Sequence, residues 1–235
     1  MMERQQAVGR FYKILQHNIA KRGGRYELSA LFSSRSLYSN PELNHAGVYF
    51  IFEPNEFRED SVTPRVVYVG KAKGLFIRLE RHSRDRDSSS FAGNVFAAVA
   101  KAAGRGDGFT PFLKEYWRDI PDGRYGEMRA FEFDLVLPVI RKMSFTWLPV
   151  SSTDQRQRLE EGAIALLSNF PRADLGSAID PSSPTWLGRT MNSKPRISES
   201  GLWNNNKDVK CELGDGAWLD EFEALVAGRG LPIED

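Results

Sequence analysis

Two runs set the tightest limits on this chain: GVYFIFE at 47–53 and RVVYVG at 65–70. Both are rich in aromatic and β-branched residues, which suit a pleated, half-buried surface. Pro54, Asn55 and Pro64 stand between them, so the pair is expected to form an antiparallel hairpin with a long loop. Side chains alternate along a strand. Tyr49 would then share a face with Gly47 and Ile51, and Tyr68 with Val66 and Gly70. Paired in this way, the two phenols point to one side, where Gly47 and Gly70 would leave room for a bulky substrate. The plainer reading is a buried hairpin whose tyrosines fill a core.

Helical spacing surrounds the hairpin. Val8, Phe11, Tyr12, Leu15 and Ile19 repeat over residues 4–21, and Gly23 and Gly24 stop the pattern. Residues 75–84 read as a short helix, and 91–106 as a helix ended by glycine. Residues 107–129 show no clear pattern. The run at 130–140 alternates like a strand as far as Leu137, yet also suits a helix up to Pro138. Residues 144–150 look like another strand. Ser152 and Gln155 suit the start of a helix reaching about residue 168. Pro171, Pro181, Pro184 and Pro195 mark 170–200 as a long loop or insertion. Trp218, Leu219, Phe222, Leu225 and Val226 form an amphipathic helix, stopped by Gly228 and Gly230.

Chemistry enters directly after the second run. Lys71, Lys73, Arg78, Arg81 and His82 follow it, and Arg78 and His82 are four apart on one helix face. Leu75 and Leu79 beside them can anchor that helix to the sheet. The planar fork of an arginine matches phosphate oxygens and suits the charge of a transferring phosphoryl group. A solvated basic helix is the alternative, since Glu80, Asp85 and Asp87 partly neutralise the run. GKAKG lacks the glycine spacing and the Ser/Thr of a phosphate-cradling loop. On the helix at 153–168, Leu159, Ala163, Ile164, Leu166 and Leu167 form an apolar stripe that includes Glu160 and leaves Glu161 outside. A carboxylate facing a core needs a cation or a metal to offset desolvation. Glu160 is therefore the better metal-ligand candidate, with an ion pair to a base such as Arg78 as the alternative. Two phenols, a cluster of cations and a carboxylate can hold a phosphodiester and deliver water to it.

Composition narrows the setting. The net charge of +1 means that any nucleic-acid surface must be a local patch. Cys211 is the sole cysteine, which excludes an intrachain disulfide and suits a reducing compartment. His17, His45 and His82 lie far apart, without zinc-site spacing. No run approaches the length of a membrane span or a secretory signal, so a cytoplasmic protein is expected.

The order GVY, YVG, Arg78-x-x-x-His82 and then Glu160 resembles the GIY-YIG nuclease superfamily. YVGKAKGLFIRL is similar to the incision domain of the bacterial excision-repair nuclease. GVYFIFEPNEFR, EEGAIALLSN, PTWLGR and SGLWNNN resemble bacterial single-domain members, some akin to restriction endonucleases. The resemblance covers roughly residues 45–205, and its motifs cluster in 47–82.

That resemblance implies an α+β fold with a small antiparallel sheet of about three strands flanked by helices. It implies a nuclease core at 46–169, an N-terminal helix and lead-in at 1–45, and an insertion with a C-terminal helix at 170–235. It also implies a metal-dependent endonuclease acting on double-stranded DNA, with Mg²⁺ or Mn²⁺ on Glu160, no membrane, and a homodimer if both strands are cut. Tyr49 would lie near the attacking water, and Tyr68 would help orient that water or a phosphate oxygen. Arg78 would stabilise the pentavalent phosphate, and His82 would support the phosphate or the tyrosines. Lys71 would lower a tyrosine pKa or accept a proton. Gly47, Gly70, Lys73 and Arg81 would line the substrate. Where the family has an asparagine twelve residues after the glutamate, this chain has Arg172, so Asn169 or Asn204 would take that part. A nucleic-acid-binding module that kept the fold without catalysis is the competing expectation.

Overall fold

The computed structural model describes residues 3–85, 87, 89–109, 120–171, 178–211 and 216–228. Four antiparallel strands form its centre in the order β1-β4-β2-β3. They are β1 (Tyr26–Glu27), β2 (Gly47–Phe57), β3 (Pro64–Ala72) and β4 (Ser144–Pro149). Around them lie α1 (Arg4–Lys21), α2 (Ala30–Ser33), α3 (Arg35–Tyr38), α4 (Leu75–His82), α5 (Ser90–Ala102), α6 (Gly106–Phe109), α7 (Asp122–Phe131), α8 (Leu137–Lys142), α9 (Thr153–Leu167), α10 (Pro195–Ser198) and α11 (Ala217–Val226).

The sheet has four strands rather than the expected three. Gly23 and Gly24, at φ of 80° and 126°, turn the chain back after α1, and Tyr26 and Glu27 then pair with Phe145 and Ser144. Two residues carry no periodicity that a sequence could reveal. β2 also runs beyond 53, through Pro54 to Phe57. Proline lacks the N–H that a ladder needs, and Pro54 falls where the β2–β3 register is irregular, between Phe52 and Phe57. Residues 130–140 are helical. α7 passes into a widened π turn at Glu132–Val136 and then into α8. The wide turn stands just before Pro138, whose ring would clash with the carbonyl four residues back in a regular helix.

One irregularity bears directly on the site. Ile51 pairs with Tyr68, but the next β2 residue, Phe52, pairs with Val66. Val67 is the surplus residue of a β-bulge. Tyr68 therefore keeps the face of Ile51 and Tyr49, whereas Val66 joins Phe52 on the other face. The expected sharing of a face by Tyr68 and Val66 is corrected by this bulge.

Each face of the sheet buries its own core. Tyr49, Ile51, Val67, Tyr68, Phe145 and Trp147 pack against α4, α5 and the tryptophans Trp186 and Trp203. Val48, Phe50, Phe52, Val66, Val69 and Leu148 pack against α1, α9 and α11. β3 is an edge strand, and an open edge is a template for unwanted pairing. Here the stretch after the proline-rich loop covers it. The Trp203 N–H donates to the Val67 carbonyl at 2.7 Å. The Asn204 amide accepts from the Val69 N–H at 3.1 Å and donates to the Val69 carbonyl at 2.8 Å. Arg65 anchors that stretch by donating to the Gly201 carbonyl at 2.7 Å, and its guanidinium is paired with Glu56 at 2.9 Å.

Candidate active site

Tyr49 sits in mid-sheet, opposite Gly70 on β3 and Trp147 on β4. Its ring lies across Gly70, so any Cβ at 70 would collide with the phenol. A Cβ on Gly47 would collide with the Leu148 carbonyl and with Leu75, the first residue of α4. The space under both glycines is thus filled by the protein itself, not left open for substrate. The glycines let a tyrosine and a helix approach the sheet closely.

α4 closes over the phenols because Leu75, Leu79 and His82 recur on one face and are buried together. His82 Nε2 lies 2.6 Å from the Tyr49 hydroxyl, and its Nδ1 lies 2.9 Å from Ser89 Oγ. Tyr68 completes the cluster, with ring centroids 6.1 Å from Tyr49 and 5.5 Å from His82. Phe91 of α5 closes the far side, 4.9 Å from Tyr68 and 5.0 Å from His82. Tyr49 is fully buried, whereas Tyr68 keeps 8% of its surface exposed, so Tyr68 is the phenol that meets solvent.

The electrostatics follow from burial beside one cation. Burial pushes the Tyr49 phenol well above its ordinary value, neighbouring Tyr68 adds to this, and the Arg78 guanidinium opposes it. Tyr68 is raised by burial, drawn down by Arg78 and raised again by the charge of Glu160. Burial first, and the Arg78 charge second, hold His82 down to about 3, so its imidazole is neutral at physiological pH.

Glu160 and Lys71 lie on the other face. Lys71 pairs across the ladder with Val48, whose side chain belongs to the core under α1, α9 and α11. Its ammonium meets Glu160 of α9 at 2.7 Å and also donates to Gln157. Lys71 is thus the cation that pairs with Glu160, not Arg78, and it points away from the Tyr49 ring. Burial raises the Glu160 carboxyl, Lys71 opposes the shift, and the charge of Asp208 adds to it. Glu161 is bonded to Gln157. Tyr68 is the residue influenced from both sides, by a hydrogen bond and charge from Arg78 and by the charge of Glu160.

The remaining candidates separate clearly. Lys73, in the bend before α4, and Arg81, near the end of α4, are both exposed on either side of Arg78 in sequence. The Asn204 amide is occupied by the Val69 backbone. The Asn169 amide accepts from the Ile179 N–H at 2.8 Å and donates to the Asp180 carbonyl at 3.4 Å. Arg172 lies outside the described residues. Sequence reading missed Ser89, Gln157 and Asp208. Of these, Ser89 had a signal, as a serine directly before a helical run.

A hard divalent cation suits an oxygen site with one or two carboxylates and several waters. The half-buried Glu160, with the Asp208 charge nearby, fits that donor set. Among the described residues no three His, Cys, Asp or Glu converge to form a closed cage. A cleft of about 370 Å³ opens at the far end of β2, between Arg25, Glu53, Glu56 and Lys142, away from these groups. None of Tyr68, Arg78 and Glu160 lines this cleft, and Arg78 and Glu160 are each half-buried.

The GIY-YIG domain family model matches residues 2–230. No curated protein and no solved structure matches the chain. Among the described residues no helix is long and apolar enough to cross a membrane.

Proposed function

The chain belongs to the GIY-YIG domain family, a family of nucleases, and on that premise we propose that it is a metal-dependent endonuclease of double-stranded DNA. This reading is supported by one cluster, in which Tyr49, Tyr68 and His82 pack together, Arg78 hydrogen-bonds both phenols, and the Glu160 charge acts on Tyr68. Glu160 would hold the Mg²⁺ or Mn²⁺ ion. When bound, such an ion neutralises a phosphate oxygen and the leaving oxygen.

The chain's own residues supply the rest. Arg78 balances charge on the phosphoryl group from the Tyr68 side. Tyr68, the phenol that reaches solvent, orients the attacking water. Tyr49 stands behind it, held by His82. Lys71 screens Glu160 before the ion binds. Lys73 and Arg81 grip flanking phosphates, which fixes register without reading sequence. Water then attacks in line, with no covalent enzyme intermediate. The protein works in the cytoplasm, and restriction-like cutting of both strands calls for a homodimer that presents two such clusters to a two-fold site.

A second reading, a binding module without catalysis, draws on one observation: the Lys71 ammonium already occupies the Glu160 carboxylate. Supercoiled plasmid incubated with the purified protein and Mg²⁺ or Mn²⁺ separates the two. Metal-dependent cleavage supports the enzyme, and discrete fragments support the restriction-like form of it. Retarded but uncut plasmid contradicts the enzyme and supports the module.

A further inference from the structure

The geometry points to Ser89 as a positioning residue that dictates which nitrogen of His82 carries the proton, and so the direction in which the Tyr49 hydroxyl donates. Ser89 caps the start of α5, where its Oγ accepts the Ala92 N–H at 3.0 Å. The same oxygen lies 2.9 Å from His82 Nδ1. A serine hydroxyl has one hydrogen and two lone pairs. Ala92 takes one lone pair, and His82 is the other partner among the described residues.

Two arrangements satisfy these distances. In the first, Nδ1–H donates to Ser89, and the Ser89 hydrogen is left without an acceptor at a site only 7% exposed. A buried donor without a partner disfavours that form by on the order of tenfold. In the second, the Ser89 hydroxyl donates to Nδ1, and every polar atom of the pair is satisfied. His82 is fully buried against Phe91 and near the Arg78 cation, both of which oppose a second proton on the ring. The neutral ring must then carry its single proton on Nε2, 2.6 Å from the Tyr49 oxygen.

This assignment has a chemical consequence. His82 donates to Tyr49 and cannot accept its proton, because the accepting nitrogen faces Ser89. The Tyr49 hydrogen is directed away from the ring, and electron density on the Tyr49 oxygen is stabilised by a fixed N–H. His82 is therefore not the general base. The effect on rate rests on the nuclease reading, whereas the position of the proton does not.

The test uses the full chain with His17→Gln and His45→Gln, which leaves His82 as the single histidine. Long-range ¹H–¹⁵N correlation of the imidazole is expected to show a protonated Nε2 and an unprotonated Nδ1. Ser89→Gly removes the hydroxyl while keeping a good helix cap, and is expected to yield a mixture of tautomers or the Nδ1–H form. Ser89→Thr is expected to restore Nε2–H. In plasmid cleavage, Ser89→Gly should lower kcat by about tenfold with KM unchanged, and Ser89→Thr should return it to within about twofold. An Nδ1–H ring in the parent, or an unchanged Nε2–H ring in Ser89→Gly, overturns the assignment. Absence of cleavage in the parent overturns the nuclease reading alone, because the tautomer is read without substrate.

Discussion

The two faces of the sheet use the same strands for opposite purposes. Under α1, α9 and α11, Val48, Phe50, Phe52, Val66 and Val69 form a core of hydrocarbon and ring edges. Under α4 and α5, the equivalent positions hold Tyr49 and Tyr68, which are bonded or packed to a buried histidine beside a cation. The first face is mostly hydrocarbon, and its polar groups, Tyr12 on Asp180 and Lys71 on Glu160, are few and paired. The second places polar groups out of water, which is unfavourable unless each finds a partner. Polar groups are clustered in this way where chemistry needs perturbed protonation, and the shifts of Tyr49, Tyr68 and His82 all fall on that face.

Substitutions can break or sharpen the contrast. The largest expected effect is on rate: Arg78→Ala or Glu160→Ala should lower metal-dependent plasmid cleavage by about a thousandfold, with little change in thermal midpoint. Phe222→Ala, on the apolar face, should do the reverse. It removes a fully buried ring packed against Phe11 and Phe50, and should cost about 3–5 kcal/mol in urea unfolding while kcat per folded molecule holds. Gly70→Ala lies between the two, since its methyl drives the Tyr49 ring off the sheet. It should cost about 1–3 kcal/mol of stability and also lower kcat, a combination that no change on the apolar face should give.

The smallest effect is a pH slope. His82 titrates at about 3 in the folded chain against an ordinary value of 6.5. Between those values the unfolded chain binds the extra proton, so this stabilising contribution is complete above about 6.5 and is lost as pH falls toward 3. The slope is about 1.4 kcal/mol per pH unit. His82→Gln removes it. Urea melts at pH 7, 6 and 5 should therefore show the stability difference between wild type and variant shrinking as pH falls, whereas parallel curves would place His82 in water.

Much of this contrast is legible in the sequence. Period-two alternation finds the hairpin and puts Tyr49 and Tyr68 on one side, whereas Glu160, expected within the apolar stripe of α9, is only half-buried beside it, as is Glu161. What escapes depends on neighbours far along the chain. Val67 becomes a bulge residue inside an unremarkable Val-Val pair, and its carbonyl is held by Trp203. Lys71 follows the alternation onto the Glu160 side, a consequence of the register that its place beside YVG conceals. Asn204 looks like a substrate ligand by its residue type, yet its amide covers a strand edge. Ser89 is marked as a cap by its position before α5, but only the fold brings His82 to it.

The account rests on Tyr49 on one face and Glu160 on the other acting on one phosphodiester, and a double-mutant cycle tests this most directly. Cleavage of the same plasmid is measured for Tyr49→Phe, Glu160→Gln and the double variant, each at saturating metal. Groups that act as a unit are not additive, so the double variant is expected to be about as slow as the slower single variant. Losses that multiply, or a Glu160→Gln protein that cuts at the wild-type rate, would contradict it.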